Sequence, residues 1–347
     1  MSKYKALLII GHDVFEYNRL LLFNELGFDV ISTGSYFDPS CPNPNKPYLP
    51  PLNVNSNEEL VQEFKYLNPS GYVYGKTNLN LSKEFVDKFD VILTAWIHEP
   101  FIDYWNILKD KTLIYESIGQ SCGQKEQLLS KFRASGVRVV RMADTEKNFP
   151  NYAGADAIID LEIDTNYYSG WSGNEEFIFT VNTGALKRKH VANTDLYLTV
   201  TKDLPKKLYG TDNEDFKEDF CHRQPATRDE ILEQYKVNRL YFSLGSHPCP
   251  VVLSFKEALS VGMPVVTWGS RLGGTTFKAN EYIQNWINGF ASDDPQELRY
   301  FCETLLHDHD MAKKMSINAR NTALKYFDKK VIKKQWVEFF QTLGFSL

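Results

Sequence analysis

Residues 240–267 read LYFSLGSHPCPVVLSFKEALSVGMPVVT. Leu240–Ser243 is a run of strand length, and Gly245-Ser-His-Pro-Cys-Pro250 is a loop of small and turn-forming residues. A helix is expected over Val251–Val261, stopped by Gly262, and Pro264-Val-Val-Thr267 reads as the next strand. Strand, small-residue loop, helix and strand in that order make the repeating unit of a parallel sheet covered on both faces. A helix that opens just after such a loop exposes unpaired amides and the positive end of its dipole, which favour a diphosphate. Glu257 lies one to two turns inside this helix, where its carboxylate can accept two hydroxyl hydrogen bonds from a ribose.

The same alternation extends outward in both directions. Lys5–Ile10 is a continuous apolar run, Gly11-His-Asp13 a turn, Val14–Leu26 a helix ended by Gly27, and Phe28–Ser32 a strand. Further strands are expected at Val91–Thr94, Thr112–Tyr115, Val137–Val140 and Ala157–Asp160. A second series begins with a strand at Phe177–Val181. It continues with a helix from about Asn193, a strand near Lys207–Tyr209 and a helix at Thr227–Tyr235. The pattern predicts an α/β chain of two Rossmann-like doubly wound domains facing a cleft. The expected bounds are 1–168 and 169–328, with a Tyr/Ser/Gly/Trp-rich linker around Asn166–Asn174 and a last helix, 329–347, returning to the first domain. The proline-rich stretch Ser35–Asn55 is too long to be an ordinary connection and is expected to be a functional loop.

Composition narrows the functional classes. The chain has 347 residues, 43% hydrophobic and 24% charged, which excludes a disordered, collagenous or coiled-coil protein. With 39 Lys+Arg against 44 Asp+Glu, the net charge of −5 counts against a protein that wraps nucleic acid electrostatically. Five scattered cysteines with no CxxC pair argue for free thiols in a reducing compartment, against a disulfide framework or structural zinc. The apolar run Ala6–Ile10 is too short for a signal peptide or a membrane span, so a cytosolic protein, at most resting on a membrane surface, is expected. Lys313, Lys314, Arg320, Lys325, Lys329, Lys330, Lys333 and Lys334 read as a solvated helix face or as a surface for an anionic acceptor, lipid head groups or DNA.

Ser246, Glu257, Gly262-Met-Pro-Val-Val266, Gly273-Gly274 and Glu281–Phe290 occur in an order and spacing that resembles the GT-B glycosyltransferases, in particular the retaining family-4 group. The resemblance covers about residues 240–330 strongly and the rest loosely. It implies a sugar-nucleotide donor, such as a UDP-sugar, bound mainly by the second domain as substrate, with no cofactor and no metal. Glu257 would hold the ribose. A basic pair after the first strand of the second domain would meet the diphosphate, which here points to Arg188 and Lys189. Ser246, His247, Gly273 and Gly274 complete the implied donor site, with Gly11 as the remnant of a glycine-rich loop in the first domain.

Two departures stand out. The first acid of the family's Glu-x7-Glu pattern falls on Cys249, and Ile114–Gln120 lacks the histidine that family members carry beside the anomeric centre. His98, after the preceding strand, and His12, after the first strand, are the catalytic candidates in its place. The resemblance implies a hexosyl- or pentosyltransferase acting on a surface glycan or lipid-linked saccharide. The alternatives are transfer to hydroxymethylated bases in DNA, a sugar-nucleotide epimerase, and a catalytically silent nucleotide-sugar-binding protein.

Overall fold

Tyr4–Ile10 forms β1, and its last five residues are fully buried, as expected of an apolar strand covered on both faces. The computed structural model describes residues 4–37 and 52–347, apart from 53, 55–56, 73–74, 76 and 225. Most of the proline-rich stretch therefore lies outside the described residues, as does Cys41. The other four cysteines are free thiols.

The chain divides into two units. The first comprises residues 1–144, 149–161 and 333–347. After β1 come α1 (Asp13–Glu25), β2 (Phe28–Ser32), α2 (Glu58–Leu67), α3 (Lys83–Val86), β3 (Val91–Ala95), α4 (Glu99–Asp103) and α5 (Trp105–Leu108). Then follow β4 (Thr112–Glu116), α6 (Gly123–Ala134), β5 (Arg138–Arg141) and β6, which is shortened to Ala157–Ile158. The sheet is parallel, in the order β2-β1-β3-β4-β5-β6, so the strand order reverses between β1 and β3. Ile10 pairs with Ala95, and the segments after the two strands leave the sheet side by side. Leu7, Ile9, Ile92, Phe85 and Phe101 are among the fully buried core residues.

Two fully buried ion pairs brace this unit. Arg19 on α1 is held by both carboxylate oxygens of Glu116 at the end of β4, and its guanidinium lies 5.2 Å from the Trp336 ring. Arg141 grips Glu126, whose carboxylate also accepts the Ala153 amide. Trp336 packs edge-on against Phe23, and Phe340 lies 5.0 Å from Phe28, which seats the C-terminal residues on this sheet's helix layer.

The second unit comprises residues 145–148 and 162–332. Its elements are β7 (Glu175–Val181), α7 (Lys189–Ala192), α8 (Thr194–Val200), β8 (Lys206–Tyr209), α9 (Arg228–Val237) and β9 (Asn238–Ser243). They continue with α10 (Leu253–Val261), β10 (Val265–Trp268), α11 (Ser270–Gly273), β11 (Gly289–Ser292), α12 (Pro295–His307), α13 (His309–Tyr326) and α14 (Lys329–Thr342), whose last ten residues belong to the first unit. This sheet too is parallel, in the order β11-β10-β9-β7-β8, and reverses between β7 and β9.

Thr227 and Glu230 form a capping box that starts α9 where the sequence places it. The helix expected from Val251 starts at Leu253 instead, because the chain is still extended at Val252. The expected linker Asn166–Asn174 is folded onto the second unit: Trp171 donates to the Asn238 carbonyl, and the Ser172 and Gly173 amides to that of Lys236. A tryptophan and unpaired backbone amides are costly to leave loose beside an apolar surface. Among the described residues, no helix is long and apolar enough to cross a membrane.

Candidate functional site

Open parallel sheets bind ligands beyond the carboxyl ends of their strands, where the strand order reverses. In the second unit that place lies between the segments after β7 and β9. The Asn182 side chain joins them by donating to the Gly245 carbonyl. Arg188 arches across the same gap, its Nη2 donating to Oγ of Ser246 at 3.0 Å. The loop ends at Val252, which has no side-chain acceptor, so the first amides of α10 are left uncapped by a side chain.

His247 and the Gly273-Gly274 turn close the other side of this loop. The His247 amide donates to the Val191 carbonyl, and its Nε2 lies 3.3 Å from Nδ2 of Asn193, which also donates to the Leu272 carbonyl. Gly274 has φ +88°, and a Cβ there would sit 2.9 Å from Cε1 of His247. The turn thus needs glycine both for its backbone and for the approach of the imidazole. Burial holds the His247 imidazole below the ordinary histidine range. Cys249 is buried, and its Sγ faces the Val251 carbonyl.

The structure therefore brings Arg188, Ser246, His247, Gly273 and Gly274 into one region. Lys189 is turned away from it: Nζ is 3.3 Å from the Asp195 carboxylate, and both side chains are exposed. Lys187 likewise faces Glu214 and Asp215.

Glu257 sits in the second turn of α10, and its carboxylate is directed into the protein rather than to bulk solvent. Tyr168 donates to its Oε1 at 2.5 Å and Tyr235 to its Oε2 at 3.1 Å. Arg228, at the start of α9, donates to the Tyr168 hydroxyl and stacks over the Tyr167 and Tyr168 rings. Burial raises the Glu257 pKa, while the two tyrosines and Arg228 oppose that rise.

The reversal point in the first unit carries the two histidine candidates. Gly11 and His12 follow β1, and His98 follows β3, its neighbour. His12 is exposed, with its ring edge-on to Phe15. His98 is partly buried, its Nδ1 3.9 Å from the Glu99 carboxylate, and burial and the charge of Lys125 keep its pKa below the ordinary value. Between β3 and His98, Trp96 has φ +68°, a left-handed conformation that is strained for a bulky residue. Its carbonyl accepts from both Lys125 Nζ at 2.8 Å and the Tyr115 hydroxyl, and these bonds hold the strain in place.

Several of these groups escaped the sequence reading. Asn193 occupies the left-handed region (φ +49°) that asparagine tolerates, but nothing local marks it as the partner of His247. Tyr168, Tyr235, Arg228 and Lys125 carry no motif. They became visible only when the chain placed them beside Glu257 and Trp96. Among the described residues, no group of three or more His, Cys, Asp and Glu side chains is placed to hold a metal ion.

With this geometry in view, the fold belongs to a known class: two parallel α/β sheets that together match solved GT-B glycosyltransferases over nearly the whole chain. A glycosyltransferase of Rickettsia africae matches with a TM-score of 0.66 at 14% identity, covering 100% of both chains. HepE of Anabaena, solved with UDP and glucose, matches with a TM-score of 0.65 at 14% identity over 96% of this chain and 99% of its own. Sucrose-phosphate synthase of Thermosynechococcus elongatus gives 0.64 at 13% identity over 99% of each. No protein-family model and no curated protein matches the chain.

Proposed function

We propose that the chain is a glycosyltransferase that moves a hexosyl or pentosyl group from a UDP-sugar to a hydroxyl of a glycan or lipid-linked saccharide, with retention and without a metal ion. The observation that carries this reading is the convergence of Arg188, Ser246, His247 and Gly274 at the strand-order reversal of the second unit, beside the uncapped start of α10. The likeness in fold to HepE, solved with UDP and glucose, supports the choice of nucleotide.

When the bond between the anomeric carbon and the diphosphate breaks, negative charge builds on the leaving oxygen. A fixed guanidinium and preorganised amides stabilise that charge more than they stabilise the bound donor, which lowers the barrier. Arg188 has the role of the cation in this reading, and Ser246 holds it in place. Glu257 accepts the ribose hydroxyls. His12 and His98 are the groups to test at the reacting centre.

The deciding experiment incubates the protein with labelled UDP-sugars and a panel of glycan and lipid-linked acceptors, in EDTA, with hydroxymethylated DNA as a further acceptor. Transfer to a saccharide, with the donor's anomeric configuration kept in the product, is the expected result. Conversion of donor without acceptor would identify an epimerase. UDP-sugar binding with no turnover in any arm would identify a silent binding protein.

A further inference from the structure

Glu257 is bonded by two tyrosines, and an arginine that bonds one of them adds its charge. Tyr168 comes from the segment before β7, Tyr235 from the last turn of α9, and Arg228 from its first turn. An ionised carboxylate has about four acceptor sites, two on each oxygen. Tyr168 fills one on Oε1 and Tyr235 one on Oε2, so each oxygen keeps capacity for one more donor. Ribose offers two adjacent hydroxyls, a matching pair.

We propose that Tyr168, Tyr235 and Arg228 are positioning residues for nucleotide recognition, fixing the Glu257 carboxylate so that its two remaining acceptor sites read the 2′- and 3′-hydroxyls of the donor ribose. The proposal rests on the reading of Glu257 as the ribose ligand. Without these groups, a carboxylate at this depth would pick up a proton or change rotamer, and a protonated acid has lost part of the acceptor capacity the hydroxyls need.

The surroundings agree. The Tyr235 hydroxyl also lies 3.2 Å from the Ser254 carbonyl on α10, so its one proton is shared between that oxygen and Oε2 of Glu257. The Tyr168 backbone carbonyl accepts from Arg320 on α13, which anchors the main chain from which its ring extends. Tyr167 and Tyr241 also face the carboxylate electrostatically, and Asp229 holds the Tyr167 hydroxyl. Lys256, the neighbouring cation on α10, lies over the Phe327 ring. Arg228 is thus the cation that acts on Glu257 among the interactions that set its proton affinity.

The test measures UDP and 2′-deoxy-UDP binding by calorimetry from pH 5 to 8 for the wild type, Tyr168→Phe, Tyr235→Phe, Arg228→Gln and Glu257→Ala, each checked for cooperative unfolding. The wild type should prefer UDP by about tenfold, the worth of one hydrogen bond to a charged group. Glu257→Ala should bring that ratio to about one. Each tyrosine variant should cut it to a few-fold, and Tyr168→Phe, Tyr235→Phe and Arg228→Gln should all move the acid-side loss of UDP affinity to higher pH. A general loosening of the fold would weaken both ligands equally and leave the pH midpoint in place.

If the wild type binds both ligands equally, or Glu257→Ala keeps the preference, the ribose reading itself falls. If Glu257→Ala abolishes the preference while both tyrosine variants and Arg228→Gln retain the full ratio and midpoint, the ribose reading stands and the positioning proposal is overturned. Tyr235→Phe and Arg228→Gln decide the matter should Tyr168→Phe fail to fold.

Discussion

Arg188 donates to the Ser246 hydroxyl at 3.0 Å, across the point where the strand order of the second sheet reverses. The bond fixes an exposed guanidinium over a small-residue loop and so selects one direction for its charge. Arg188→Met should therefore weaken UDP binding and lower kcat/KM by about a hundredfold, the scale of one charge-stabilising group. Lys189→Met, which removes a cation facing Asp195, should change either by less than about twofold, the scale of an exposed ion pair. Steady-state kinetics on the two variants compare them directly, and equal losses would contradict the assignment.

His98 is held below the ordinary histidine value of 6.5 by burial and Lys125, against the pull of Glu99. Burial and Lys125 thus favour the neutral imidazole. If it acts at the reacting centre, His98→Asn should lower kcat by about a hundredfold with UDP affinity unchanged. The wild-type rate should then fall on the acid side, with a midpoint below the ordinary histidine value. A full pH–rate profile of wild type and variant tests this, with His12→Asn as the rival substitution.

Glu16 is a buried carboxyl that accepts the amides of Ser35 and Tyr36 and the Ser32 hydroxyl, with Gly34 packed against it where no Cβ would fit. Burial outweighs those bonds and pushes its pKa from 4.5 up to about 7. The folded state thus holds a proton that the unfolded chain releases. The resulting stabilisation is complete below pH 4.5 and is lost as the pH rises to about 7. It amounts to about 3 kcal/mol. Urea unfolding from pH 4.5 to 8 should show wild type losing stability relative to Glu16→Gln over that window, and a constant difference would refute the assignment.

Arg19 and Glu116 are both fully buried. Glu116→Leu alone should cost about 3–5 kcal/mol, because it removes the carboxylate that binds the buried guanidinium through both oxygens. Adding Arg19→Met should recover much of that loss, since an apolar pair of similar volume needs no counter-charge. Chemical denaturation of the two singles and the double gives the coupling. Additive losses would mean that the two charges act independently.

Much of the architecture is written in local patterns. Apolar runs such as Lys5–Ile10 and Phe177–Val181, each punctuated by glycine or a cap, mark strands and helices because burial on both faces demands them. The motif run from Ser246 to Phe290 locates the loop side of the second sheet, although some of its matched residues serve the fold. Asn288 is buried, bonding the Tyr282 carbonyl and the Thr322 hydroxyl, and a Cβ on Gly289 would strike the Val265 carbonyl. Ala157–Asp160 reads as a full strand, yet only Ala157–Ile158 pairs, since an edge strand is bonded on one side alone.

The sequence by itself determined the alternation of strand and helix, the two successive sheets and the position of Glu257 in the second turn of a helix. These depend on periodicity and capping, which act over a few neighbouring residues. Only the tertiary structure decided that Arg188 reaches Ser246 while Lys189 does not, that Asn193 meets His247, and that Tyr168 lies against Glu257, 89 residues away. Such pairings depend on strand order, register and the direction in which each side chain leaves its backbone, and no local pattern in the chain encodes them.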